Sequence, residues 1–121
     1  MSRHYRLRRL DQGGRELETG LTRIRYADTF RLRLVGLLGR SSLASDEGLL
    51  LQPGGSIHTF FMRFSLDLVF LGDQHRVLRI CEGVGPWQVR LAPKGTRSVL
   101  EIAEGNVKRT GIHLDDLLLF D

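Results

Sequence analysis

Between Ser56 and Leu71 the chain reads S-I-H-T-F-F-M-R-F-S-L-D-L-V-F-L, and four of its six phenylalanines (Phe60, Phe61, Phe64, Phe70) fall inside these residues. Aromatic side chains bury large apolar areas, so a folded form is expected to place this stretch at the centre of its core. Strand alternation puts Phe64, Leu66, Leu68 and Phe70 on one face and Ser65, Asp67, Val69 and Leu71 on the other. His58, Thr59, Arg63 and Asp67 interrupt the apolar residues. A polar group taken out of water needs a hydrogen bond or an opposite charge, so the stretch points to a site as well as to a core.

The flanking segments read mostly as strands. Tyr5 to Leu10, the turn Asp11-Gln12-Gly13-Gly14, and Glu16 to Tyr26 predict a solvent-facing hairpin. Asp28-Thr29 begins a predicted helix with Phe30, Leu34, Leu37 and Leu38 at helical spacing, stopped by Gly39. Gly48 to Gln52 is a short buried strand, and Gly72-Asp73-Gln74-His75 turns the central strand back into Arg76 to Glu82, with His75 solvated at the tip. Arg97 to Ala103 is a further strand, Glu104 to Thr110 about two turns of helix ended by Gly111, and Leu117 to Phe120 a last strand. The expected class is α+β, mostly β, with a curved, barrel-like sheet and one or two short helices. One domain over residues 1–121 is expected, its N-terminal basic hairpin covering 1–26 and its core 27–121.

Hydrophobic content of 41% and charged content of 26% are those of a soluble protein, and no apolar run reaches the roughly 20 residues that span a bilayer. The basic start lacks a following apolar segment, so a cytoplasmic address is expected. Cys81 is the single cysteine, which removes internal disulfides and multi-cysteine metal sites; it reads as a small apolar strand residue. His4, His58, His75 and His113 are scattered without H-x-x-x-H or H-E-x-x-H spacing, so neither a metal nor a cofactor is expected. The net charge of +4 is concentrated at the N-terminus, where Arg3, Arg6, Arg8, Arg9, Arg15, Arg23, Arg25, Arg31 and Arg33 face only four acids. No aromatic residues are interleaved there as stacking platforms, and nucleic acid is an unexpected partner.

Three phrases together, Gly36-Leu37-Leu38-Gly39-Arg40, the run His58 to Leu71, and Val99-Leu100-Glu101-Ile102, resemble domain-of-unknown-function family 192. The resemblance runs over about residues 20 to 121 and rests on the M-R-F-x-L-D-x-x-F core. It implies a compact single domain and carries no activity with it. Ser65 stands where the family pattern favours proline, and Leu114-Asp115-Asp116 replaces a Gly-Asp turn. Many relatives carry an export signal, which this sequence does not show.

Asp67, flanked by Leu66 and Leu68, is expected to be desolvated and partnered by Arg40, Arg97 or backbone N–H groups, at the floor of the main cleft. The leading functional reading is a non-enzymatic module that binds a small polar or anionic ligand, or a peptide, in a cleft edged by Arg40, His58, Thr59, Arg63, Asp67 and Trp87. A hydrolase using His58 and Asp67 is the first alternative, weakened by the lack of a marked nucleophile. An adaptor for protein or nucleic acid, acting through the arginine-rich hairpin, is the second. No catalytic residue is assigned, and the oligomeric state is not legible.

Overall fold

The computed structural model describes residues 3–27 and 40–121. The strands are β1 (Leu7–Leu10), β2 (Glu16–Glu18), β3 (Arg23–Ala27), β4 (Glu47–Leu51), β5 (Ile57–His58), β6 (Leu66–Leu71), β7 (Val77–Val84), β8 (Val89–Arg90), β9 (Ser98–Ala103) and β10 (Leu117–Phe120). A 3-10 turn spans Asp73–His75, and the helix among the described residues is α1 (Asn106–Thr110). The helix expected from Thr29 to Leu38 lies outside the described residues. No helix of the described residues is long and apolar enough to cross a membrane.

The main sheet has the order β3-β4-β9-β6-β7, parallel at β3/β4 and antiparallel elsewhere. Its middle strand is β9, flanked by β4 and by β6, the strand expected from alternation, with β7 at the edge. Every residue of β6 is buried, with Leu66, Leu68 and Phe70 in one apolar cluster and Val69 and Leu71 in the other. A strand apolar on both faces has to be covered on both sides, and the remaining strands supply the covers. On one face β10-β1-β2 and α1 bring Leu7, Leu118 and Val107 onto Val69, Leu71 and Leu100. On the other, the two-stranded ribbon β5-β8 and its loops bring Ile57 and Met62 onto Leu68, Phe70 and Val99. The described strands thus form three open sheets in layers, rather than closing into the expected barrel.

The N-terminal hairpin is shorter than the sequence suggested. β1 and β2 pair antiparallel, but the return strand breaks at Thr19, whose Oγ1 donates to the Leu7 carbonyl and accepts the Leu21 N–H, and at Gly20 with φ 80°. The chain then crosses to the main sheet as β3, registered with β4 from Arg23↔Glu47 to Ala27↔Leu51. Leu21 and Ile24 are what draw it there, since both are fully buried in the shared core. The hairpin is therefore one side of a packed layer, not a free arm. His75 is also corrected: it is half-buried, its ring edge-on to Phe120 at 4.9 Å, and that burial lowers its pKa.

Candidate functional site

Asp67 is fully buried at the start of β6. Its Oδ1 accepts the Gly83 N–H at 2.9 Å, and its Oδ2 accepts the N–H groups of Gly105 at 3.1 Å and Val107 at 3.0 Å. Helix α1 has no capping side chain of its own, because its N-cap position is Gly105 with φ 90°. The carboxylate of β6 does that work from the neighbouring layer, satisfying amides that a helix start leaves open. The partner is thus backbone, one of the two kinds expected. The arginine candidates are engaged elsewhere: Arg40 grips Glu47 in two-pronged fashion, at 3.0 and 2.8 Å, and Arg97 pairs with Asp73. The small cleft that Asp67 lines, about 240 Å³, is shared with Glu82, Gly83, Glu104, Gly105 and Lys108. A larger cleft of about 650 Å³ lies beside it between β7 and α1, so Asp67 is not the floor of the main one.

The other sequence candidates divide. His58, Thr59 and Trp87 come together on the β5-β8 ribbon. Thr59 is buried; its hydroxyl donates to the Gly85 carbonyl at 2.6 Å and accepts the Gln88 N–H at 2.9 Å, while the Trp87 N–H donates to the Thr59 carbonyl. These bonds lace the 58–61 turn to the 85–88 turn. On that frame the rings of His58 and Phe60 lie 4.9 Å apart, Phe60 and Trp87 stack at 5.7 Å, and Phe61 tilts against Trp87 at 4.7 Å. His58 is the cross-strand partner of Val89, so the two side chains share a face, and alternation carries that face on to Leu91. Arg63 is exposed just beyond the turn. Arg40 stands apart in a separate ion-pair group with Glu47, Arg23 and Asp46.

The sequence reading put Phe60, Phe61, Phe64 and Phe70 at the centre of the core, and here it needs correction. Phe70 is fully buried and Phe64 half-buried, but Phe61 is 68% exposed, Trp87 59% and Leu91 70%, with Val89 and Phe60 also exposed. Phe61 and Trp87 also hold φ of 67° and 63°, a left-handed backbone that is rare for bulky residues and carries strain. Phe60, Phe61, Val89 and Leu91 are the members that sequence reasoning missed as surface. The signal available was chemical: no Asp or Glu occurs from Gly48 to Leu66 or from Gly83 to Leu100, in a chain with 14 of them.

A family model described as uncharacterized ACR, DUF192, matches residues 12–120. The chain belongs to the DUF192 family. It is similar to UPF0127 protein PH1112 of Pyrococcus horikoshii, 32% identical over 68% of this chain and 73% of that protein. It is also similar to UPF0127 protein PF1050 of Pyrococcus furiosus, 26% identical over 78% and 84%. Among solved structures it is similar to a candidate transcription regulator of Sinorhizobium meliloti 1021 (TM-score 0.83, 25% identity, 98% of this chain and 95% of that one).

The DUF192 match begins inside the first hairpin, consistent with that hairpin being packed into the fold. The electrostatics of this DUF192 chain also differ from a basic-arm picture. Arg6 pairs with Glu18 and Asp121, Arg8 with Glu16 and Asp121, Arg9 with the buried Asp116, Arg15 with Asp11, and Arg23 with Asp46. The Arg40 guanidinium holds the Glu47 carboxyl below its ordinary range, and Arg23 does the same to Asp46. Among the described residues no group of three or more His, Cys, Asp or Glu side chains is arranged to hold a metal ion.

Proposed function

We propose that this DUF192 chain acts as one unit, a non-catalytic binding module whose contact surface is the ribbon face of His58, Phe60, Phe61, Trp87, Val89 and Leu91. The observation that carries the reading is the exposure of Phe60, Phe61, Trp87, Val89 and Leu91 together on a braced frame, with the half-buried His58 against Phe60. Exposed apolar residues scattered singly are ordinary, whereas a contiguous aromatic patch marks a contact surface. The strain at Phe61 and Trp87 fits the same reading, because strained backbone of this kind clusters at ligand contacts. Arg63 at the rim and the absence of acids along the ribbon segments favour a ligand that carries apolar groups together with negative charge. Asp67 belongs to the scaffold in this reading, and Arg40 to the β4 ion-pair group.

A hydrolase built on His58 and Asp67 has less behind it, since both Asp67 oxygens are already occupied by backbone amides. A regulatory role of the kind named for the Sinorhizobium meliloti neighbour, exercised through the N-terminal arginines, is disfavoured by the ion pairs those arginines make. Trp87 is the only tryptophan, so it reports directly on the ribbon. Titration with anilinonaphthalene sulfonate, an apolar anion, should give saturable energy transfer from Trp87 to the dye, reduced several-fold by Phe61→Ser at unchanged melting temperature. Dye binding that is insensitive to Phe61→Ser would place the contact surface elsewhere.

A further inference from the structure

We infer that the partner of the ribbon face is an anionic lipid surface, on which the protein rests by inserting Phe61, Trp87 and Leu91; this builds on the binding-module reading above. Three features of the face select a lipid interface over other anionic partners.

The first is side-chain type. Single-stranded nucleic acid is held by rings whose faces are free to stack on bases. Here the rings of Phe60 and Phe61 both lie against Trp87, and Val89 and Leu91 have no π face to offer. A block of Phe, Trp, Leu and Val is instead the composition that enters the boundary between headgroups and acyl chains.

The second is shape. Clefts of about 650 and 240 Å³ lie against α1, with Glu82 and Lys108 lining both, and one of about 380 Å³ lies at the first hairpin between Arg9, Gln12 and His113; none of the three is lined by a residue of the ribbon. Ile57 of the ribbon packs in one apolar cluster of the main sheet and Val107 of α1 in the other, so the clefts and the ribbon belong to opposite layers. The ribbon offers an outward face, suited to a planar partner rather than to a peptide that needs a groove.

The third is charge. Arg63, Arg90 and Lys94 are the cations of the two acid-free segments that remain once Arg97 is paired with Asp73. Arg63 and Lys94 are exposed, and the half-buried Arg90 lays its guanidinium along the ribbon, donating to the Val89 carbonyl at 2.9 Å. The nearby acids Glu82 and Glu104 line the cleft on the α1 side. A few inserted side chains bind a membrane only marginally, and a few basic residues add attraction that depends on anionic lipid. The association should therefore be reversible and should need both contributions.

The test is vesicle co-sedimentation of the full chain with phosphatidylcholine alone and with phosphatidylcholine mixed with phosphatidylglycerol, read together with Trp87 emission. On mixed vesicles, partitioning at least 10-fold above that on phosphatidylcholine is expected. Trp87 emission should shift to the blue and be quenched by lipids brominated near the head of the acyl chain. Phe61→Ser with Leu91→Ser should lower partitioning about 10-fold. Arg63→Gln with Lys94→Gln should erase the preference for anionic vesicles, and Arg15→Gln, outside the ribbon, should change neither vesicle partitioning nor dye binding. Unmodified protein that ignores mixed vesicles while still binding the dye would overturn the lipid assignment and leave the binding-module reading standing. Failure to bind either would remove both. Quenching of Trp87 by an oligonucleotide at physiological salt, without a vesicle response, would overturn the lipid assignment in favour of nucleic acid.

Discussion

Asp67 ties distant parts of the chain together, because one carboxylate satisfies the amide of Gly83 at the end of β7 and those of Gly105 and Val107 at the start of α1. Removing it would strand three N–H groups in and around a dry interior, each costing about 1–3 kcal/mol if left unsatisfied. Asp67→Ala is expected to destabilise the fold by about 3 kcal/mol or more, measured by denaturant melts. Asp73→Ala, which removes an ion pair between two exposed side chains, should change stability by less than about 1 kcal/mol. Equal effects from the two substitutions would refute the capping role. Glu47 predicts a pH dependence. Arg40 holds its carboxyl below the ordinary 4.5, so the native state binds fewer protons than the unfolded chain in that range. The stabilisation is fully present above pH 4.5 and is lost as pH falls through the native value. In Glu47→Gln the acid-side decline in stability should be shallower by about 1 kcal/mol, followed by urea midpoints between about pH 5 and pH 3. That Asp67 needs a partner was legible from Leu66 and Leu68 beside it. Which partner was not, because the amides come from Gly83 and the start of α1, whose positions depend on how three strands and a helix pack.

The elements show the same division between what periodicity dictates and what packing decides. β6, β7, β9 and β10 stand within a few residues of their sequence-based positions, since alternation, turn residues and burial all agree there. β5 and β8 are two residues each and leave no periodic trace, so the ribbon escaped notice, and Phe60 and Phe61 were expected in the core because composition alone cannot tell an aromatic that faces in from one that faces out. Thr59→Val tests the ribbon as an element: it keeps the volume but removes the hydroxyl shared by the Gly85 carbonyl and the Gln88 N–H. A loss of about 1–2 kcal/mol is expected, with broader accessibility of Trp87 to acrylamide. On the opposite side of the main sheet, Gly48 sits where β4 passes between β3 and β9. An added Cβ there would lie 2.6 Å from Ile24 Cδ1 and 3.0 Å from Ile102 Cγ2. Gly48→Ala should therefore cost about 1–3 kcal/mol by overpacking, detectable as a lower thermal midpoint.

At the scale of the whole molecule, charge and apolar surface are segregated: Arg6, Arg8, Arg9, Arg15 and Arg23 of the basic N-terminal segment are held in ion pairs, while the exposed rings belong to the acid-free segments. Nucleic acid should accordingly bind weakly and without sequence preference, and a labelled 20-mer should lose most of its binding between about 50 and 200 mM salt. Affinity that survives this change would contradict the segregation argument. The pairing of β1 with β10, in register from Leu7↔Phe120 to Leu10↔Leu117, also has a consequence in time. β1 has its sheet partner far along the chain in β10, and β3 likewise waits for β4, whose other neighbour is β9. Contacts between such distant segments are slow to form, since the loop must close before it is rewarded. Until β10 has emerged, the apolar side of β1, led by Leu7, has to stay uncovered or be sheltered by other means, because the layer that completes the core on the α1 side cannot form without both strands.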